Sequence, residues 1–151
     1  MKYTEYLKSQ PKDFCPFCKD EKDRVFIENE FAFLTYGKAP YHRHHLLVVP
    51  KEHRSSFLEL SKGESDAMWD LIRKGVAILL ELGYETYTMI VREGKGGAKS
   101  VEHLHYHVIP VQQIGDLDAD INIREIMTVE EEKEVIEEID QAIKQMAFRG
   151  L

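Results

Sequence analysis

The chain has 151 residues, of which 43% are hydrophobic and 31% charged, with a formal net charge of −7; these values predict one globular domain long enough to bury a core. No stretch approaches the ~20 apolar residues of a membrane span and the opening Met1–Glu5 lacks a signal-peptide pattern, so a cytoplasmic protein with no membrane partner is expected. Residues 116–151 hold 11 acidic and 4 basic side chains and the rest is nearly neutral, which argues against polymeric nucleic acid but leaves room for a small phosphate ligand held by local donors.

Residues 3–10 read as a short helix or arm. Cys15 and Cys18, the only cysteines, stand in a Cys-x-x-Cys pattern that belongs either to a redox pair or to half of a tetrahedral zinc site. No strand leads into it and charged residues follow, so zinc is the preferred reading, with two ligands still to be found. Val25–Glu28 and Phe31–Thr35 read as strands across a turn at Asn29-Glu30, and Gly37–Pro40 as a loop. Leu46–Val49 is an apolar run of buried-strand type, closed by Pro50. His45 opens that strand and His53 follows its exit, so both are site candidates; His42 and His44 read as solvated loop residues.

Ser61–Leu82 is the first clear helix, with Met68, Trp69, Ile72, Val76, Leu79 and Leu80 at helical spacing and Gly83 placed beyond its end. Trp69 is expected to pack in the core. Thr86–Val91 reads as a strand. The glycine loop from Glu93 to Ser100 lacks the P-loop pattern, but its backbone amides, Lys95, Lys99 and Ser100 suit an anion nest. Gln112–Arg124 reads as loop. Thr128–Ala147 is a second amphipathic helix with capping-box spacing between Thr128 and Glu131, expected to pack on the sheet.

The most informative stretch is His103-Leu104-His105-Tyr106-His107-Val108-Ile109-Pro110. Period-two alternation predicts a strand with the three histidines on one face and Leu104, Tyr106 and Val108 on the other. A row of imidazoles can serve as metal ligands or as nucleophile and acid–base groups acting on phosphate.

This stretch resembles the motif of the histidine triad (HIT) superfamily: His, apolar, His, apolar, His, two apolar. The order of the other parts over roughly residues 14–110 is similar too: a strand hairpin, the Leu46–Pro50 strand, a long helix, a glycine loop ending in serine, then the triad. The resemblance implies an α+β fold of HIT type, an antiparallel sheet with a long helix and a C-terminal helix, in a single domain spanning 1–151 whose acidic tail (111–151) lies outside the motif-bearing core. It implies a homodimer and a nucleotide substrate, with hydrolysis through a nucleotidyl-histidine. His105 would be the nucleophile, His107 the donor to the phosphate oxygens, and Ser100 the partner of the leaving group. Cys15, Cys18, His53 and His103 would form a closed, structural Cys2His2 zinc site. His45 would lie behind the triad, and Phe17, Phe33, Thr35, Tyr36, Arg92 and Lys99 would line the nucleotide site. Thr35 stands where the family carries a ribose-binding carboxylate. Arg92 and Lys99 replace uncharged family residues, in the direction of a more anionic substrate. The substrate class is then a nucleoside phosphoramidate or a dinucleoside polyphosphate. Two alternatives stand beside this one: a metal-dependent phosphoesterase using the histidine strand as ligands, and a nucleotide-binding protein without catalysis.

Overall fold

A computed structural model of the chain describes residues 1–18, 24–93, 101–111 and 124–150. In chain order it contains α1 (Tyr3–Lys8), β1 (Ile27–Glu28), β2 (Ala32–Tyr36), β3 (Leu46–Pro50), a short 3-10 turn (Phe57–Glu59), α2 (Lys62–Glu81), β4 (Tyr87–Val91), β5 (Tyr106–Pro110) and α3 (Val129–Phe148). The strands form one antiparallel sheet in the order β1-β2-β3-β5-β4. This is the α+β arrangement expected from the sequence.

Period two divides the sheet into two chemically different faces. Ala32, Leu34, Leu46, Val48 and Val108 form a core with Met68, Leu71, Ile72, Ile78 and Leu79 of α2 and Val135, Ile139, Ala142 and Met146 of α3. Each of the larger side chains among these contributes roughly 1.5–3 kcal/mol by leaving water. The register pairs Leu46 with Val108 and Leu47 with His107, so His107 necessarily points to the face opposite the helices. The triad side of the sheet is therefore left clear of α2 and α3.

Local chemistry accounts for the element boundaries. Asn29 makes the first turn: its side-chain oxygen accepts from the backbone N–H of Phe31 and Ala32, and its amide donates to the Ala67 carbonyl. Ser61 and Glu64 form a capping box on α2, and Thr128 and Glu131 form one on α3. Gly83 ends α2 at φ 94, in the left-handed region where a side chain is strained.

Four expectations need correction. Trp69 and Leu80 are 51% and 54% exposed. The buried apolar face of α2 is Met68, Leu71, Ile72, Gly75, Ile78 and Leu79, and at ~100° per residue Trp69, Val76 and Leu80 form a second apolar flank to one side of it. His44 is buried, not solvated: its ring bridges the Tyr84 hydroxyl and the Glu138 carboxylate, and half-buried His42 stacks edge-on against Tyr84. α3 packs chiefly on α2 rather than on the sheet, and its Glu138 and Glu134 hold Arg43. The triad strand begins only at Tyr106; His103 to His105 form its lead-in, where the Leu104 N–H donates to the Arg54 carbonyl.

Candidate active site and metal cluster

The strand exit and the triad lead-in bring four ligand atoms together. Sulfur or ring-nitrogen atoms of Cys15, Cys18, His53 and His103 all lie within 4.8 Å of one another. Sγ of Cys15 is 3.4 Å from Nδ1 of His103, and Sγ of Cys18 is 3.3 Å from Nδ1 of His103 and 3.1 Å from Nδ1 of His53. Bonds of about 2.3 Å to sulfur and about 2.0 Å to nitrogen, set at tetrahedral angles, place neighbouring ligand atoms at about this spacing. His103 is fully buried, and its Nε2 lies 2.8 Å from the Pro50 carbonyl. That carbonyl accepts the Nε2 proton and leaves the Nδ1 lone pair facing the thiols, the orientation a metal ligand needs. The residues present thus fit a thiolate-imidazole metal such as zinc. His105 and His107 lie outside this cluster.

His105, His107 and His45 form a row of neighbouring rings. Nδ1 of His105 lies 2.7 Å from the His103 carbonyl, so it carries the proton and the lone pair resides on Nε2. The tautomers of His45 and His107 follow from a backbone amide. The Tyr41 N–H donates to Nδ1 of His45, so the His45 proton sits on Nε2 and is donated to Nδ1 of His107 at 2.8 Å. His107 is left with its proton on Nε2. The row therefore offers one nitrogen lone pair, on His105, beside one N–H donor, on His107, with ring centroids 4.7 Å apart.

Burial keeps these rings neutral. It lowers the pKa of His105 against the opposing pull of the His103 carbonyl. It takes His107 well below the ordinary imidazole value, helped by neighbouring His45 and His105 and by Arg92 and Arg124. His45, pressed by burial and then by the charge of Arg124, lies at about 3.

A cavity of about 370 Å³ opens on the same face of the sheet, lined among others by Tyr3, Tyr6, Phe17, Phe33, Thr35 and Tyr36. The Phe17 ring lies 5.2 Å from His105, which joins the cavity to the row. Thr35 is buried and its hydroxyl donates to the Arg24 carbonyl at 2.7 Å, so that hydroxyl already has an acceptor. Arg92 lies at the other end of the row, where Nη1 donates to the Tyr41 hydroxyl at 3.0 Å. Ser100, Lys99 and Lys95 lie outside the described residues.

Three residues near the row escaped the sequence reading. Tyr3 and Tyr6 of α1 line the cavity, and Arg124 lies with Cζ 4.3 Å from the centroid of the Tyr41 ring. Nothing local distinguishes them, because chain segments far apart in sequence bring them there.

Known proteins resemble this chain in the same region. The HIT domain model matches residues 19–114. An uncharacterized HIT-like protein of Methanocaldococcus jannaschii is 31% identical over 100 residues, covering 64% of this chain and 78% of that protein. The adenosine 5'-monophosphoramidase of Schizosaccharomyces pombe is 30% identical over 100 residues, covering 64% of this chain and 73% of its own length. Among solved structures, a zinc-bound histidine triad family protein from Mycobacterium smegmatis superposes with a TM-score of 0.69 at 20% identity, covering 89% of this chain and 96% of that one. With a matched domain spanning more than half of the sequence, this protein belongs to the HIT family.

Proposed function

We propose that the protein is a nucleotide hydrolase acting through a nucleotidyl-histidine, on a nucleoside phosphoramidate or a dinucleoside polyphosphate. The observation that carries this reading is the pair of opposed tautomers: a lone pair on His105 Nε2 next to a proton on His107 Nε2. The nucleoside occupies the cavity beside Phe17, Phe33 and Tyr36, which places its α-phosphorus at His105. The lone pair of His105 attacks, a P–N bond forms, and the bond to the leaving group breaks, the departing group keeping the electron pair and, where it is an amine, taking up a proton from solvent. His107 donates to a non-bridging oxygen as charge builds there. Ser100 takes the part of leaving-group partner that the family resemblance implies. Water then cleaves the P–N bond and releases the nucleoside monophosphate. The relative from S. pombe, named for phosphoramidate hydrolysis, supports this class of substrate.

Cys15, Cys18, His53 and His103 hold a structural zinc in this reading. Four protein ligands close its shell, so it ties the N-terminal segment to the triad lead-in and takes no part in bond breaking. A thiolate site of this kind suits the reducing cytoplasm; among the described residues no helix is long and apolar enough to cross a membrane. The chain pairs with a second copy along β4, an edge strand whose Tyr87, Met89 and Val91 are exposed beside Trp69.

The test is turnover of adenosine phosphoramidate and of diadenosine triphosphate by wild type and His105→Asn. Wild type is expected to release AMP, with acid-labile nucleotide trapped on the protein by intact mass, and the variant to lose more than about a thousandfold in kcat/KM. Unchanged turnover by the variant rejects the nucleophile.

A further inference from the structure

We infer that Arg124 and Arg92 form a cationic clamp around Tyr41 that seats the phosphates beyond the one attacked, so that the segment following the family domain sets leaving-group preference. This rests on the proposed nucleotidyl-transfer reading of the site.

The placement of Arg124 is the starting point. It lies outside residues 19–114, the part matched to the family. Its backbone is held by the chain's first residues: the Tyr3 N–H donates to the Arg124 carbonyl at 3.2 Å, Lys2 and Glu125 form an isolated antiparallel bridge, and the Ile126 N–H donates to the Met1 carbonyl. The Met127 N–H donates to the Lys38 carbonyl. These bonds aim the guanidinium across the loop that precedes β3. There Nη1 donates to the Ala39 carbonyl at 3.1 Å, and the group lies over the rings of Tyr41 at 4.3 Å and Tyr3 at 5.7 Å. Arg92 reaches the same Tyr41 ring, with Cζ 5.8 Å from the centroid.

The charge balance then points to an anion. Arg124 is half-buried, and among the described residues no carboxylate pairs with it and its Nε has no hydrogen-bond partner. Its second guanidinium neighbour, Arg92, opposes it rather than neutralising it. The Arg124 guanidinium, with a carbonyl and tyrosine faces for company and a second guanidinium among its neighbours, carries an electrostatic cost that a bound phosphate chain would relieve. Aromatic faces hold the guanidinium planes while leaving donor edges available to phosphate oxygens.

The position fits a leaving group rather than the nucleoside. Neither arginine nor Tyr41 lines the nucleoside-sized cavity. The Tyr41 ring is 6.5 Å from His107 and 5.6 Å from His45, so the clamp stands beyond His107, at the end of the row opposite the thiols. A substrate lying along the row would have its nucleoside by Phe17, its α-phosphorus at His105, and its further phosphates at the clamp. A leaving polyphosphate departs with an extra negative charge, which two guanidinium groups stabilise; a leaving amine departs neutral and gains nothing from them.

Arg124→Gln and Arg124→Lys are compared with wild type, zinc-loaded and full length, on diadenosine triphosphate and on adenosine phosphoramidate. The clamp predicts that Arg124→Gln lowers kcat/KM for the anhydride by about a hundredfold and for the phosphoramidate by less than about threefold, with Arg124→Lys between. Equal losses on both substrates, or none on either, overturn it. Binding of inorganic tripolyphosphate by titration calorimetry reads the clamp without turnover. Saturable binding that Arg124→Gln weakens at least about tenfold supports it, and equal affinity in the two proteins rejects it. If wild type cleaves neither nucleotide but still binds tripolyphosphate through Arg124, the hydrolase reading fails and the anion site stands.

Discussion

His45 gives the most direct measurement of how the histidine row is built. It is 2% exposed and its pKa lies at about 3, whereas an unfolded histidine titrates near 6.5. Below about pH 6.5 the unfolded chain therefore binds a proton at this position that the folded chain refuses. A folded-state pKa that is depressed means stability present above the unfolded value and lost as pH falls toward the folded one, at about 1.4 kcal/mol per pH unit. Between about pH 7.5 and about pH 5 this single ring removes about 2 kcal/mol of unfolding free energy. Buried His107 acts in the same direction. The assay is urea denaturation across that range for wild type and His45→Gln, whose amide can still donate to Nδ1 of His107. The absolute stability of the variant is immaterial; the quantity read is the difference in pH slope. Proton uptake by the thiols on metal loss contributes to both proteins and cancels. The wild-type curve is expected to fall about 2 kcal/mol further than that of the variant. Parallel curves would falsify the claim that His45 is held neutral by its surroundings.

Five further outcomes follow from the same structure. Chelation of the metal, or Cys18→Ser, is expected to lower elemental zinc from about one atom per chain and to destabilise by about 3–5 kcal/mol, roughly 10 °C in Tm; an unchanged melt with no zinc counts against a structural role. Gly37→Ala places a Cβ 3.1 Å from Nδ1 of His45, a ring held between Tyr41 and His107, and is expected to cost about 1–3 kcal/mol in chemical denaturation. The matching change Gly63→Ala meets only the exposed, movable Phe31 ring and is expected to stabilise by up to about 1 kcal/mol through helix propensity. Glu138→Ala removes the carboxylate that buried His44 meets and one of the two that hold exposed Arg43 and is expected to cost about 1–3 kcal/mol; a loss below about 0.5 kcal/mol would mean that α3 is held by its apolar stripe alone. The double change Trp69→Glu with Met89→Glu puts charge into the proposed β4 interface and is expected to halve the mass seen by sedimentation, while a mass unaffected by it moves the dimer contact elsewhere.

Short-range signals were strong enough to read from the chain by itself. The capping box at Thr128 and the turn at Gly83 lie where spacing put them, because caps and turns satisfy backbone groups within a few residues. The period-two run through His107 also has a local cause, and the resemblance of its motif supplied the ligand quartet that the folded chain gathers. Burial was harder to read. Trp69 and Met68 are neighbours of equal apolar character, yet only Met68 is buried in the core, since the orientation of α2 about its own axis is set by packing across the whole layer. His44 resembles a solvated loop residue until Tyr84 and Glu138, 40 and 94 positions away, close on it. Arg124 is the extreme case: an ordinary side chain in an acidic stretch becomes part of a cationic cluster only because the first three residues pair with its backbone. Propensity and spacing act along a few bonds and so are written in the sequence, whereas desolvation and charge are sums over neighbours that exist only once the chain has folded.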